Sequence, residues 1–307
     1  MDSANKQTAI VAEVTQGTTP ATPGFKLLRD IRVSGSPDRP ATRSPERRSD
    51  RMAANMTSGL YTFPKSIELP WARDAGTDIL LSNALCGTWQ TNVLKNGSAE
   101  TFFTLEERYE GGITDPYRRL TGCKVDTTTI SFRTGQPGTI TFGIQALAET
   151  AATTAIVGAT YAAPTPGLDP STPADIVVTD CFSILGAKVV SLDMTIANNM
   201  RPQHSWGSNS PFGIGQGLFD VSGRVQLYFS ASTDYSTFMN RQAGLDLSLL
   251  IGNTNAQKDA LLLPYCDVWN PDVDDPGATG DHMVTLNFMA RYDTGEAAAI
   301  KITRNTT

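Results

Sequence analysis

Gly59-Leu60-Tyr61, followed by Phe63, Ile67, Glu68, Leu69 and Trp71, has a second version 158 positions later. There Gly217-Leu218-Phe219 is followed by Val221, Val225, Gln226, Leu227 and Phe229 at the same spacings. A Thr-Asp pair then opens a helix-like segment in each copy, Thr77-Asp78 and Thr233-Asp234. The match resumes at Cys123-Lys124-Val125, which precedes Ile140-Thr141-Phe142-Gly143-Ile144-Gln145-Ala146. Its counterpart is Cys266-Asp267-Val268 before Val284-Thr285-Leu286-Asn287-Phe288-Met289-Ala290. Apolar and polar residues alternate in these runs, the period of a half-buried strand. A repeat of about half the chain predicts a duplicated β-rich unit.

The totals agree. A chain of 307 residues buries a large core and accommodates two units of ordinary domain size. With 40% hydrophobic and 18% charged residues it is globular in composition. Its 26 Gly and 18 Pro imply many turns, as in an all-β protein. The formal charge of -6 and pI near 5.0 argue against gripping nucleic acid by counterion release. No apolar run is long enough to span a membrane, and residues 1–7 lack the pattern of a signal peptide. The four cysteines are far apart and form no C-x-x-C pair, so they read as reduced thiols of a cytoplasm-made protein.

Along the chain, residues 1–24 end in a Gly/Thr/Pro tract and read as an extended arm. Residues 25–58, with Arg39, Arg43, Arg47, Arg48 and Arg51, lack any sustained period and read as a long loop that orders against a neighbouring subunit. The first β domain is expected over 59–150, with strands at 61–71, 100–109, 121–133 and 139–147 and a helix over 78–85 capped by Thr77. A Pro/Ala/Thr-rich connector covers 151–175, within which 154–162 reads as a strand or an extended edge. The second β domain is expected over 176–307, with its own short helix at 234–241. Residues 1–58 have no clear counterpart in the second half.

The search for chemistry yields no catalytic, cofactor-binding or metal-binding residues. The two histidines, His204 and His282, have no G-x-S-x-G elbow with which to form a relay. The acidic loop Asp272-Val273-Asp274-Asp275-Pro276-Gly277, with Asp281, lacks the spacing of a calcium loop and reads as solvated. Gly213-Ile214-Gly215-Gln216-Gly217 lacks the ending of a phosphate loop and reads as a flexible turn at a subunit contact. Trp71, Trp89, Trp206 and Trp269 are too scattered for a base-stacking platform. Glu106 and Glu107 alternate across a strand, so they cannot flank one glycosidic bond; one of them pairs with Arg108 or a neighbouring strand.

Nearly the whole chain resembles the tail tube proteins of long-tailed bacteriophages. The resemblance is carried by Glu13 with Gly17-Thr18-Thr19-Pro20, and by Ser44-Pro45-Glu46-Arg47-Arg48-Ser49-Asp50-Arg51. It continues through Ala84-Leu85-Cys86-Gly87-Thr88-Trp89, Phe102-Phe103-Thr104-Leu105-Glu106-Glu107-Arg108-Tyr109 and Leu120-Thr121-Gly122-Cys123-Lys124-Val125. Ile196-Ala197-Asn198-Asn199-Met200 and Ala290-Arg291-Tyr292-Asp293 add to it in the second half.

The resemblance implies a mainly β chain. Its two tandem tail-tube-like β-sandwich or barrel domains each carry a short flanking helix, and a long N-terminal arm precedes them. It implies a non-enzymatic virion protein without cofactors. Its copies stack as rings into a hollow tube that passes DNA without specific binding. Its partners are then other copies of itself, the tail terminator, the tail tip or baseplate, and the tape measure protein, with no membrane. The location is the virion tail after synthesis in the bacterial host cytoplasm, and the size and duplication favour a non-contractile tail. Two domains per chain suggest a trimeric ring with pseudo-sixfold symmetry, with a hexamer as the alternative, and residues 1–58 as the link between rings. Other readings are a head decoration protein, a fibre domain, or a carbohydrate-binding β-sandwich module.

Overall fold

Two strands of 17 residues, Tyr117–Arg133 and Lys258–Asp274, organise the molecule. The computed structural model describes residues 5–110, 114, 116–165, 175–184, 186–229, 232–252, 258–274 and 280–306. It is mainly β, with two helices among the described residues. Each long strand changes partners halfway. Tyr117–Arg133 pairs first with Phe102–Tyr109 and Ala148–Ala152, then with Thr139–Ala146. Lys258–Asp274 pairs first with Gln242–Ile251 and Lys301–Thr306, then with Met283–Ala290. A cysteine sits at each changeover, Cys123 and Cys266, each wholly buried and turned toward a carbonyl three residues back.

The two halves match in register as well as in order. Ile67 faces Phe142, and Val225 faces Leu286. Ile130 faces Ile140, and Val273 faces Val284. Phe103 faces Cys123 and Leu105 faces Leu120, while Leu245 faces Cys266 and Leu247 faces Leu263, with a register shift between the pairs in both copies. Register is set where one face is buried, because a slip of one residue turns every side chain over. The inward residues of both copies, among them Ile67, Phe142, Ile130, Val225, Leu286 and Phe288, share one continuous apolar core.

The structure extends the repeat into the region expected to lack a counterpart. Strand Arg32–Ser34 lies beside Phe63–Pro70 with Val33 opposite Ile67, just as Val189–Ala197 lies beside Asp220–Tyr228 with Leu192 opposite Val225. The first register reappears, beyond residues 35–37 that lie outside the strand, in a bridge between Asp38 and Thr62. Next comes a two-stranded hairpin in each copy: Ala41–Arg43 with Met56–Ser58, and Arg201–Gln203 with Gly213–Gly215. Thr42 faces Thr57 where Arg201 faces Gly215. Lys6–Glu13 is matched too: it pairs with Phe102–Tyr109 where Ile176–Cys181 pairs with Gln242–Ile251.

Several expectations are corrected or refined. Residues 6–13 are not an extended arm: Ile10 is fully buried, and buried Glu13 accepts hydrogen bonds from Gly17 N (2.7 Å), Thr104 Oγ1 (2.7 Å) and Gly122 N (2.9 Å). The first helix is Ala75–Ala84, capped by Asp74, whose carboxylate accepts from Thr77 N at 2.8 Å; Thr77 itself lies in the first turn. The second helix is Ser232–Met239, with Thr233 and Asp234 in its first turn. The Gly213–Gly217 tract is not a flexible turn, since Gly213–Gly215 is a paired strand with Ile214 buried. Its glycines answer to packing: a Cβ on Gly217 would meet Asn199 O at 2.5 Å. The connector is partly structured, with Thr160–Ala162 parallel to Gly24–Leu27 and Tyr161 stacked on Phe25 at 5.3 Å. Residues 166–174 lie outside the described residues.

Under the first sheet, Glu107 takes a hydrogen bond from Lys6 (2.6 Å) and one from Lys65 (2.7 Å), with the Lys65 and Glu107 side chains 2% and 1% exposed. Burial pushes the Glu107 carboxyl up, but the two lysines outweigh it and hold it below the usual carboxylate range. The unfolded chain therefore takes up this proton first. Stability from this group is present in full above about pH 4.3 and is lost as pH falls further. Glu107→Gln leaves Lys65 buried without a counter-charge and is expected to cost about 3–5 kcal/mol, read from urea unfolding at pH 7. A loss below about 1 kcal/mol would show that Lys65 finds other partners.

Candidate assembly surfaces

The two halves are joined by backbone pairing. Val189–Ala197 lies between Asp220–Tyr228 of its own half and residues 127–133 of the first long strand. Leu192, Met194 and Ile196 point into the core, so Ser191, Asp193 and Thr195 point the other way. The result is one sheet of eight strands. Its order is Arg32–Ser34, Phe63–Pro70, Thr139–Ala146, Tyr117–Arg133, Val189–Ala197, Asp220–Tyr228, Met283–Ala290 and Lys258–Asp274.

Where this strand ends, side chains lock the joint. Asn198, 3% exposed, donates through Nδ2 to Ala84 O at the end of the first helix (2.9 Å) and to Val125 O at the strand's changeover (3.0 Å). Its Oδ1 accepts from Cys86 Sγ at 3.5 Å. Met200 N donates to Asp126 Oδ1 at 2.7 Å. The hairpin that follows seats Ile214 beside Cys86 and Met200, with Leu147 against them. Lys124, 1% exposed, donates to Ile214 O at 2.9 Å and pairs with Glu100 at 3.4 Å.

A second joint lies at the other side. Lys301–Thr306 pairs with Val93–Lys95 of the first half. Arg304 forms a two-pronged ion pair with Asp78 and stacks 4.1 Å over the Trp89 ring. Asp259 accepts from Trp71 Nε1 (3.2 Å) and Arg73 Nε (2.7 Å).

The outward face of the eight-strand sheet is polar along its middle strands, with Tyr228, Trp269 and Met289 on it toward one end. It carries Thr127, Thr129 and Ser131, then Thr139 and Thr141, then Ser191 and Thr195, each alternating with buried residues. Among its charges, Asp193, Arg133 and Arg224 form one cluster, while Glu68, Arg32, Asp272 and Asp274 stand outside it. Asp193 accepts from Ser131 Oγ (2.6 Å), Arg224 (3.1 Å) and Arg133 (3.5 Å). Partial burial raises the Asp193 carboxyl, but these three donors prevail and hold it below the usual carboxylate range.

Both ends of the sheet are open. Among the described residues, Arg32–Ser34 pairs only with Phe63–Pro70. Trp269 and residues 272–274 pair with Met283–Ala290 on one side and with no strand among the described residues on the other. The first hairpin projects with Met52 and Met56 at 71% and 60% exposure, whereas Ile214 in the second is 3% exposed.

The residues weighed as chemistry remain apart. His204 lies in the loop of the second hairpin and His282 just before Met283–Ala290, where its carbonyl accepts from Phe229 N. Glu106 and Glu107 are both buried on opposite sides of their strand, one held by Arg119 and Tyr161, the other by Lys6 and Lys65. Arg108 instead pairs with Glu110. Trp71 is buried and Trp206 fully exposed. Asp272 and Asp274 lie on the open edge, while Asp275 lies outside the described residues. Among the described residues no cluster of three His, Cys, Asp or Glu could hold a metal ion. None of the helices there is long and apolar enough to cross a membrane. All four cysteines are free and buried, and burial raises the Cys181 and Cys266 thiols to about 12. In the sequence Asn198 reads like any loop asparagine, and only its partners Ala84 O and Val125 O mark it as part of the joint.

A family profile described as phage tail tube protein matches residues 3–290, and the chain belongs to that family. No curated protein matches the chain.

Replacing Asn198 by Ala removes both donated bonds and one of the two acceptors of the Cys86 thiol at once. The expected loss is about 1–3 kcal/mol, measured as a lowered urea midpoint at unchanged slope. An unchanged midpoint would mean that the joint rests on the strand pairing alone.

Proposed function

We propose that this tail tube family member is a structural virion protein whose copies stack as rings into a hollow tail tube, and that each chain supplies two tandem tube units. The observation that carries this reading is the eight-strand sheet with two open ends. A strand edge left open is a hazard in a monomer and a joint in an assembly. A chain that already continues one sheet across its two halves can continue it into the next copy. Joints of one kind between unlike surfaces generate rings when the rotation closes.

The polar face of that sheet is suited to line the lumen. Duplex DNA carries about one negative charge per 1.7 Å of axis, and clustered cations would hold it by counterion release. Hydroxyl groups present no such charge, and the arginines at positions 32, 133 and 224 share this face with the carboxylates of Glu68, Asp193, Asp272 and Asp274. The formal charge of -6 per chain points the same way. A role in passing DNA calls for no cofactor and no catalytic group. In this reading the tail terminator, the tip or baseplate and the tape measure protein are the other partners, and the tail is non-contractile.

Two units per chain favour three chains per ring. Purified protein at rising concentration is expected to give hollow tubes by negative-stain microscopy. Helical reconstruction is expected to show three chains per ring, with Thr129, Thr141 and Thr285 facing the lumen. Six chains per ring would overturn the trimer. The same residues on the outside would overturn the lining, and a chain monomeric at all concentrations would overturn the tube.

A further inference from the structure

We infer that segment 32–38 of one copy pairs antiparallel with the open edge at 272–274 of the next, with Ser34 opposite Asp274. The inference deepens the tube reading and takes from it only that copies associate. The chain itself supplies the template. Segment 32–38 holds the same register on Phe63–Pro70 that residues 191–197 hold on Asp220–Tyr228. Residues 272–274 hold the same register on Met283–Ala290 that residues 129–131 hold on Thr139–Ala146. Within the chain, residues 191–197 and 127–133 pair with each other, and Asp193 faces Ser131. Carrying that register over sets Ser34 against Asp274, Gly35 against Val273 and Ser36 against Asp272.

The side chains support this register. In the joint within the chain, Ser131 Oγ donates to Asp193 at 2.6 Å, and Arg133, one diagonal step away, reaches the same carboxylate at 3.5 Å. At the open edges the same three residue types recur with their strands exchanged. Asp274 stands where Ser131 stands, Ser34 where Asp193 stands, and Arg32 is the diagonal neighbour of Asp274 on the other strand. A serine faces an aspartate in both joints, with an arginine on a diagonal two residues after that serine in the first and two before it in the second, and opposite charges across a strand pair favour the register.

The hairpins give a separate reason for a second copy as occupant. Ile214 of the second hairpin is buried near the end of the first helix, beside Cys86 and Leu147. By the shared register its counterpart is Met56, opposite Arg43 as Ile214 is opposite Pro202, and Met56 is 60% exposed. The corresponding surface on the second half, at the end of Ser232–Met239 and just past Met283–Ala290, leaves Met239 and Tyr292 each 63% exposed. One copy docked on the next covers all three.

The test is oxidation of purified full-length Ser34→Cys/Asp274→Cys protein, followed by a non-reducing gel. Facing residues of a strand pair have Cα atoms within disulfide range, and the native thiols are all buried. The expected result is a ladder of chains linked end to end, absent from each single variant and from Ser34→Cys/Thr139→Cys. Tubes without links in Ser34→Cys/Asp274→Cys overturn the register and leave the tube reading standing. Links in closed oligomers that never form tubes support the register and count against the tube. As a second measure, Arg32→Glu is expected to raise the concentration for assembly up to about fivefold per joint, and Asp274→Arg in the same chain to restore it. Unchanged assembly in Arg32→Glu counts against the diagonal pair.

Discussion

Everything in this fold depends on one property of two long strands: each changes partners halfway along its length. Tyr117–Arg133 gives its first half to one set of strands and its second half to another. Lys258–Asp274 does the same. A strand that leaves its first partner halfway exposes backbone donors and acceptors on the side it has vacated. Such groups are costly to bury and readily recruit another strand. In the first copy, residues 127–133 recruit Val189–Ala197 from the second half. In the second copy, residues 269–274 have no such partner among the described residues. The open edge is thus the same feature as the internal joint, seen without its occupant.

The sequence revealed those parts of the repeat that are fixed by burial on one face. Ile67 with Leu69 and Val225 with Leu227 were paired by spacing, and the structure places all four inward at equivalent sites. The cysteines were matched, and both mark a change of partners. The hairpins were missed because what they share is backbone register. Met56 and Ile214 occupy one position, yet one is exposed and the other packed, so no common residue type is demanded there. The strand Lys6–Glu13 was missed for a related reason. Ile10 and Cys181 are equivalent by pairing to Leu105 and Leu247, and neither flanking segment spells out that equivalence. The helix cap was misplaced by three residues because both Asp74 and Thr77 are capping types, and only the geometry decides between them.

Of the assembly surfaces, the polar sheet face was legible as alternation, but its extent was not. Alternation says that one face of a strand is polar; it does not say that eight such faces adjoin. That follows from Val189–Ala197 sitting between the two halves, a long-range contact with no local signal. The glycines at positions 213 to 217 were read as a turn because glycine permits turns. Here glycine is required by close packing, which local composition does not distinguish.

Duplication also permits the two joints of an assembly to differ. Lys124 and Asp267 hold equivalent positions beside the changeover cysteines and carry opposite charges. Lys124 is tied to the carbonyl of Ile214 in the hairpin that covers it. Asp267 is held by Arg241 and Arg291, side chains of its own half that are 61% and 51% exposed. The first arrangement takes its counter-charge from Glu100 of its own half but its buried carbonyl acceptor from the partner; the second is complete before any partner arrives. That difference suits the two situations. A partner on the same chain is present at high effective concentration from the moment of folding, so the receiving surface can depend on it. A partner on another chain arrives later, and a surface that waits for it must be stable alone. Identical single-unit subunits would have to meet both demands with one set of residues, whereas a two-unit chain divides them between Lys124 and Asp267.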